Sequence, residues 1–148
     1  MILYLDTSSL VKLYVEESGT PETERLVDGA SLVCTSVIAY AEARSALARL
    51  RRERKLSEEE HESAKTDLDE DWPRYLAIEV TREVWKVAGG LAEKHALRGF
   101  DSIHLASFLH LANTELGEPA QLFSFDDRLS GAEHAEAERM KRGLPTKS

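Results

Sequence analysis

At 148 residues, 42% of them hydrophobic and 31% charged, the chain has enough apolar material for one real core and no room for a second domain. A formal net charge of -8 excludes nucleic-acid attraction by overall field, so such a partner would have to be met by a local patch or a metal; it also suits a basic partner protein. One cysteine, Cys34, excludes an internal disulfide and fits a reducing compartment, and the opening MILYLD is neither a signal peptide nor long enough to span a membrane, so a soluble, cytoplasmic protein is expected.

In chain order, Ile2 to Leu5 reads as a first strand, running into Asp6 and the small polar residues Thr7-Ser8-Ser9. A helix start follows at Leu10-Val11-Lys12-Leu13-Tyr14. The segment SGTPETERLVDG predicts a helix capped by Thr20, with Pro21 at its first position and Gly29 beyond its end. Ser31 to Cys34 is the second strand, with Cys34 as a small buried hydrophobe. An Ala-rich helix follows in TSVIAYAEARSALARLRRERK. The next helix opens at Ser57, carries acids in its first turn and stops before Pro73. Tyr75 to Val80 is the third strand. TREVWKVAGGLAEKHALRG is a helix interrupted at Gly89-Gly90 and ended by Gly99. DSIHLASFLHLANTELG is a helix opened by Asp101 and closed at Gly117. Gln121 to Phe125 is the fourth strand. Strands alternating with helices, and apolar throughout, predict a parallel sheet covered on both faces.

Most of the 27 acids belong to solvated helix faces, but four stand elsewhere. Asp6 leaves the first strand, where the carboxyl ends of parallel strands line a ligand crevice; an N-cap is the competing reading. Glu42 lies beside the helical stripe carrying Val37, Ile38 and Ala41. Asp101 heads a helix whose Leu105, Phe108 and Ala112 follow at helical spacing. Asp126 leaves the fourth strand, with Asp127 as its rival. Four converging carboxylates in a poorly solvated pocket would take up protons or gather round a hard divalent cation, and all-oxygen ligands favour magnesium.

These residues carry a resemblance. LYLDTSSLVKLYVEE, TSVIAYAEARSAL, RGFDSIHLASFLHL and LFSFDDRL resemble, in order, the four motifs of the PIN domain, and more narrowly of VapC-type ribonuclease toxins, over about residues 1–132. The resemblance implies a PIN-like three-layer α/β/α fold with a central, mainly parallel sheet of four or five short strands. Residues 1–135 would form that domain and 136–148 a short polar, basic helix and tail. It also implies a metal-dependent endoribonuclease in which a metal-activated water cleaves RNA, leaving a 5′-phosphate and a 3′-hydroxyl. Metal binding and catalysis fall on Asp6, Glu42, Asp101 and Asp126. Ser8 and Ser124 would orient water or metal, and magnesium, replaceable by manganese, is the implied cofactor. A VapB-type antitoxin and a second copy of the chain are the implied partners.

RNA contact is expected from Arg98, just before Gly99-Phe100-Asp101, and from Lys12. The cations of RSALARLRRERK would either bind phosphates or form a solvated helix end. A haloacid-dehalogenase phosphatase would need an Asp where Ser8 stands. A receiver domain would need an Asp ending a central strand, whereas the third strand runs out as IEVTRE. The alternative from another class is a catalytically inactive PIN-like binding module acting through a protein partner.

Overall fold

The computed structural model describes residues 1–143. Four strands form one sheet: β1 (Ile2–Leu5), β2 (Leu32–Ser36), β3 (Leu76–Ile78) and β4 (Ala120–Phe123), in the order β3-β2-β1-β4. Every pairing is parallel. Parallel neighbours need crossover connections, and helices supply them: α1 (Thr7–Leu10), α2 (Thr20–Gly29), α3 (Ile38–Arg52), α4 (Glu58–Asp71), α5 (Arg82–His95) and α6 (Gly99–Ala112), while α7 (Asp127–Lys141) follows β4.

Alternation along β1 sorts the helices into two layers. Ile2 and Tyr4 join Val84, Leu91, Leu105, Phe108 and Leu129 in a core under α5, α6 and α7. Leu3 and Leu5 join Leu10, Ala39, Ala43, Leu47 and Leu68 in a second core under α1, α3 and α4. All four residues of β1 are buried, and each fully covered Leu contributes about 1.5–3 kcal/mol. The three-layer α/β/α fold is therefore as expected, with four strands and an all-parallel sheet.

Chain order along the sheet reverses at β1: β2 and β3 build out on one side, β4 on the other. Ligands of open α/β sheets bind outside the carboxyl ends of the strands at such a switch point. The register pairs Leu5 with Phe123, so Asp6 and Ser124 emerge side by side at that place.

Several expected boundaries move. Gly19, at φ +94°, precedes α2, and Thr20 is already helical, its hydroxyl bonding Val15 O instead of capping. The edge strands β3 and β4 are shorter than their apolar runs and only partly buried, because each has one neighbour. α5 runs unbroken through Gly89-Gly90 and ends at His95, with Ala96 left-handed. α6 starts two residues before Asp101, at Gly99, and ends at Ala112 instead of Gly117. The domain boundary expected at 135/136 falls inside α7, which is continuous to Lys141; the tail beyond residue 143, with Lys147, lies outside the described residues. Cys34 is fully buried, and burial pushes its thiol up to about 11. Among the described residues, no helix is long and apolar enough to cross a membrane.

Candidate active site

β1 delivers Asp6 to the switch point, 3% exposed. As the N-cap of α1 it accepts from Ser9 N at 3.1 Å, so the capping reading and the site reading are both true of one side chain. The Ser9 hydroxyl adds a bond at 3.0 Å. Ser8 Oγ donates to Oδ1 at 2.8 Å and Ser124 Oγ to Oδ2 at 2.7 Å. The two outer hydroxyls are themselves held by the chain leaving β4. Phe125 N donates to Ser8 Oγ at 3.0 Å and Asp126 N to Ser124 Oγ at 2.9 Å. Ser8 and Ser124 thus turn their protons to Asp6, which they orient.

Glu42 stands on α3 beside the buried stripe, which is Ala39, Ala43 and Leu47, one position off the expected Ile38–Ala41 face. Its Oε1 accepts from the Thr7 hydroxyl at 2.6 Å and lies 2.9 Å from His104 Nε2. The other nitrogen of that buried imidazole, Nδ1, is 2.9 Å from Tyr4 OH. Burial works to raise the Glu42 pKa, but the hydrogen bonds of His104 and Thr7 and the charge of Arg98 outweigh it and hold the carboxyl below its ordinary value.

Asp101 lies in the first turn of α6, not at its cap, because Arg98 takes that place. Asp126 caps α7 by accepting from Leu129 N at 2.9 Å. Arg98, 80% exposed, joins these two acids: Nε is 2.9 Å from Asp101 Oδ2 and a terminal nitrogen 3.6 Å from Asp126 Oδ2.

All four acids line one cleft of about 780 Å³, together with Lys12, Arg49, Arg98, Phe100 and Phe125. Asp126 lines it and Asp127, on the solvent side of the same turn, does not. Lys12 reaches the cleft wall while paired to Glu17 at 3.1 Å. Of the Arg-rich end of α3, Arg49 faces the cleft, whereas Arg44 pairs with Asp69 and Arg51 with Glu58.

Among the described residues, no three Asp, Glu, His or Cys side chains stand close enough together to hold a metal ion. The reason is local: Asp6 is turned to its serines, Glu42 to Thr7 and His104, and Asp101 and Asp126 to Arg98. The donor chemistry still suits a hard divalent cation. The acids facing the cleft are carboxylates, and one exposed side-chain cation already draws two of them toward a single positive charge.

Thr7, Ser9 and the Tyr4–His104 pair are not among the site residues the sequence points to. The run Asp-Thr-Ser-Ser after a strand was the only local signal. The partners that give these residues meaning lie 35 to 114 residues away.

The PIN domain family model matches residues 3–134. The ribonucleases VapC45 and VapC49 of Mycobacterium tuberculosis are each 38% identical over 135 residues, covering 90% of this chain and 90% of theirs. In fold alone, the crystal structure of Mycobacterium tuberculosis VapC20, described as a sarcin-ricin loop cleaving toxin, aligns with a TM-score of 0.66 at 17% identity, over 88% of this chain and 94% of that one. VapBC2 from Rickettsia felis, bound to a DNA fragment of its promoter, aligns with a TM-score of 0.53 at 16% identity, over 84% of this chain and 100% of that one.

Proposed function

The chain belongs to the PIN domain family, and from that premise we propose that it is a divalent-metal-dependent endoribonuclease toxin, acting in the cytoplasm and held silent by a cognate VapB-type antitoxin. The observation that carries this reading is the gathering of Asp6, Glu42, Asp101 and Asp126 on one cleft at the switch point of the sheet. Capping α1 accounts for Asp6 alone; an inactive binding module gives no reason for Glu42, Asp101 and Asp126 to line the same cleft.

Asp6, Glu42, Asp101 and Asp126 would hold the cation, for which magnesium is the proposed identity and manganese the substitute. When bound, such a cation neutralises phosphate charge and lowers the pKa of an attacking water. The rest falls to the chain. Ser8 and Ser124 hold the Asp6 carboxylate at the cleft and limit its freedom to turn. Thr7 and His104 hold Glu42 ionised against the burial that opposes it. Arg98 leaves Asp101 and Asp126 for the substrate phosphate, which its planar fork suits. Lys12 is the weaker phosphate contact, because Glu17 holds it. A homodimer is proposed as the working form. Trp85 on α5, 51% exposed, and Leu76 on the edge strand β3 are apolar surfaces that a second copy would cover.

The test is cleavage of single-stranded RNA with and without magnesium, by the wild type and by Asp6→Ala. Cleavage by the wild type that needs the metal and falls by at least about 100-fold in the variant is expected. Equal activity of the two proteins, or none in either with magnesium supplied, removes the ribonuclease assignment.

A further inference from the structure

Two of the large apolar side chains exposed on the described surface stand at the mouth of the acidic cleft. Phe100 is 59% exposed and Phe125 38%. Each immediately precedes a site carboxylate, Asp101 or Asp126, so the turn that aims the acid also fixes where the ring emerges. The two rings approach the cleft from different elements, α6 and the β4–α7 turn.

Phe125 is firmly seated. Its ring packs edge-on against Phe123 with centroids 5.0 Å apart, and Lys12 Nζ lies 4.9 Å from its centroid. Gly19, with no side chain, leaves space for it: a Cβ there would lie 2.5 Å from the ring tip. Phe100 has a different setting. It lines the main cleft and also a side hollow of about 380 Å³, shared with Arg98, Asp101, Glu42 and Ile103. The ring therefore forms part of the wall of both the cleft and this recess, with Ile103 beside it, Arg98 at the recess, and Asp101 and Glu42 lining both. A hollow of this size takes a small planar ligand.

An exposed ring beside a phosphate-binding cation is the pairing by which proteins hold single-stranded nucleic acid: the cation takes the backbone and the ring takes a base. Arg98 accompanies Phe100, and Lys12 accompanies Phe125. Resting on the ribonuclease reading, we propose that Phe100 and Phe125 are stacking platforms for bases on either side of the scissile phosphate, the Phe100 base entering the side hollow. The substrate must then present an unpaired segment at the cleft, because bases stacked within a duplex cannot reach the rings. Stacking accepts any base face, so these two residues select single strands and leave sequence choice to other contacts.

The test uses a short single-stranded RNA carrying 2-aminopurine, and the same strand annealed to its complement. Binding is measured without added metal in Asp6→Asn, and cleavage in the otherwise wild-type chain. The single strand is expected to bind at least about 10-fold tighter than the duplex, with 2-aminopurine quenched on binding. Phe100→Ala should weaken single-strand binding by about 5- to 150-fold, the loss of one base stack, and restore the fluorescence. Phe100→Trp should retain both binding and quenching. In cleavage the Phe100→Ala loss should fall on KM more than on kcat, as lost uniform binding does. Equal binding of duplex and single strand, or Ala and Trp variants that both match the parent in RNA binding, overturns the platforms; so does a Phe100→Ala variant that loses only a protein partner. If the parent cleaves RNA while the Phe100 variants behave like it, the platforms fail and the ribonuclease stands. If the parent neither binds nor cleaves RNA, both fall.

Discussion

Asp6, Glu42 and His104 show how single side chains are tuned here. Asp6 meets the donors of Ser8, Ser9 and Ser124, a shell that leaves its orientation little freedom. Glu42 depends on His104, whose ring is locked at its far nitrogen by Tyr4. His104→Ala should therefore lower cleavage about 10- to 100-fold, the usual cost of losing a partner that orients a ligand, with RNA binding in the metal-free Asp6→Asn background changed far less. An unchanged cleavage rate in His104→Ala would remove the positioning role. Glu42 also carries a pH signature. Its folded pKa lies below the ordinary 4.5, so folding favours the ionised form. The stabilisation is full above about pH 4.5 and is lost as pH falls through the lower folded value. Relative to Glu42→Gln, the wild type should lose urea resistance on acidification through that window; a constant gap between the two from neutral pH into acid would contradict it. The four acids were legible because each interrupts a pattern, two at strand ends and two beside apolar helical stripes. Thr7 and His104 were not, since their meaning lies in a meeting of β1, α3 and α6 that no local spacing encodes.

Among the elements, the helices were read well where their signals are chemical and poorly where they are statistical. The helix expected to open at Ser57 does so, and Ser57 and Glu60 form a reciprocal cap there. Gly89-Gly90 costs helix propensity, yet α5 runs through it because its apolar face, Val84, Ala88 and Leu91, is held in the core. Tertiary burial outweighs a loss of about 1 kcal/mol per glycine. The polar C-terminal stretch misled for the converse reason. Glu136 has the look of a surface acid but is fully buried, with Lys94 Nζ at 2.5 Å and His95 Nε2 at 2.7 Å, so it clamps α7 onto the end of α5. Burial alone would raise its pKa; those two partners reverse the direction and hold it low. Glu136→Ala strips the clamp and leaves Lys94 and His95 without their acceptor, so a destabilisation of about 1–3 kcal/mol is expected from urea unfolding. An unshifted midpoint would show that the clamp contributes nothing to holding α7.

At the scale of the whole molecule, a chain of net charge -8 that handles RNA must keep its cationic contacts few and local. Lys12, Arg49 and Arg98 are the cations lining the cleft. If each meets one phosphate, the log–log salt dependence of single-strand affinity has a slope of about -2, at about 0.7 per phosphate, and Arg98→Gln makes it shallower by about 0.7. A slope of about -4 or steeper would mean that the remaining arginines at the end of α3 also reach the backbone, as the sequence left open. The parallel sheet, the two helical layers and the place of the site at strand ends were all readable from the apolar runs and their spacing. The order β3-β2-β1-β4 was not, because a parallel strand reads the same whether it lies at an edge or in the centre.

That order has a consequence for timing. The turn from β4 into α7 is translated long after Asp6, with Ser124 118 residues later, yet it supplies Ser124, Asp126 and the amides of Phe125 and Asp126 that fix Ser8 and Ser124. A growing chain still lacking them has an open edge on β1 and an Asp6 carboxylate without the Ser124 hydroxyl and without the amide that anchors Ser8. The cleft is thus assembled only once the chain has been synthesised past Asp126, and any shorter nascent chain carries an incomplete site.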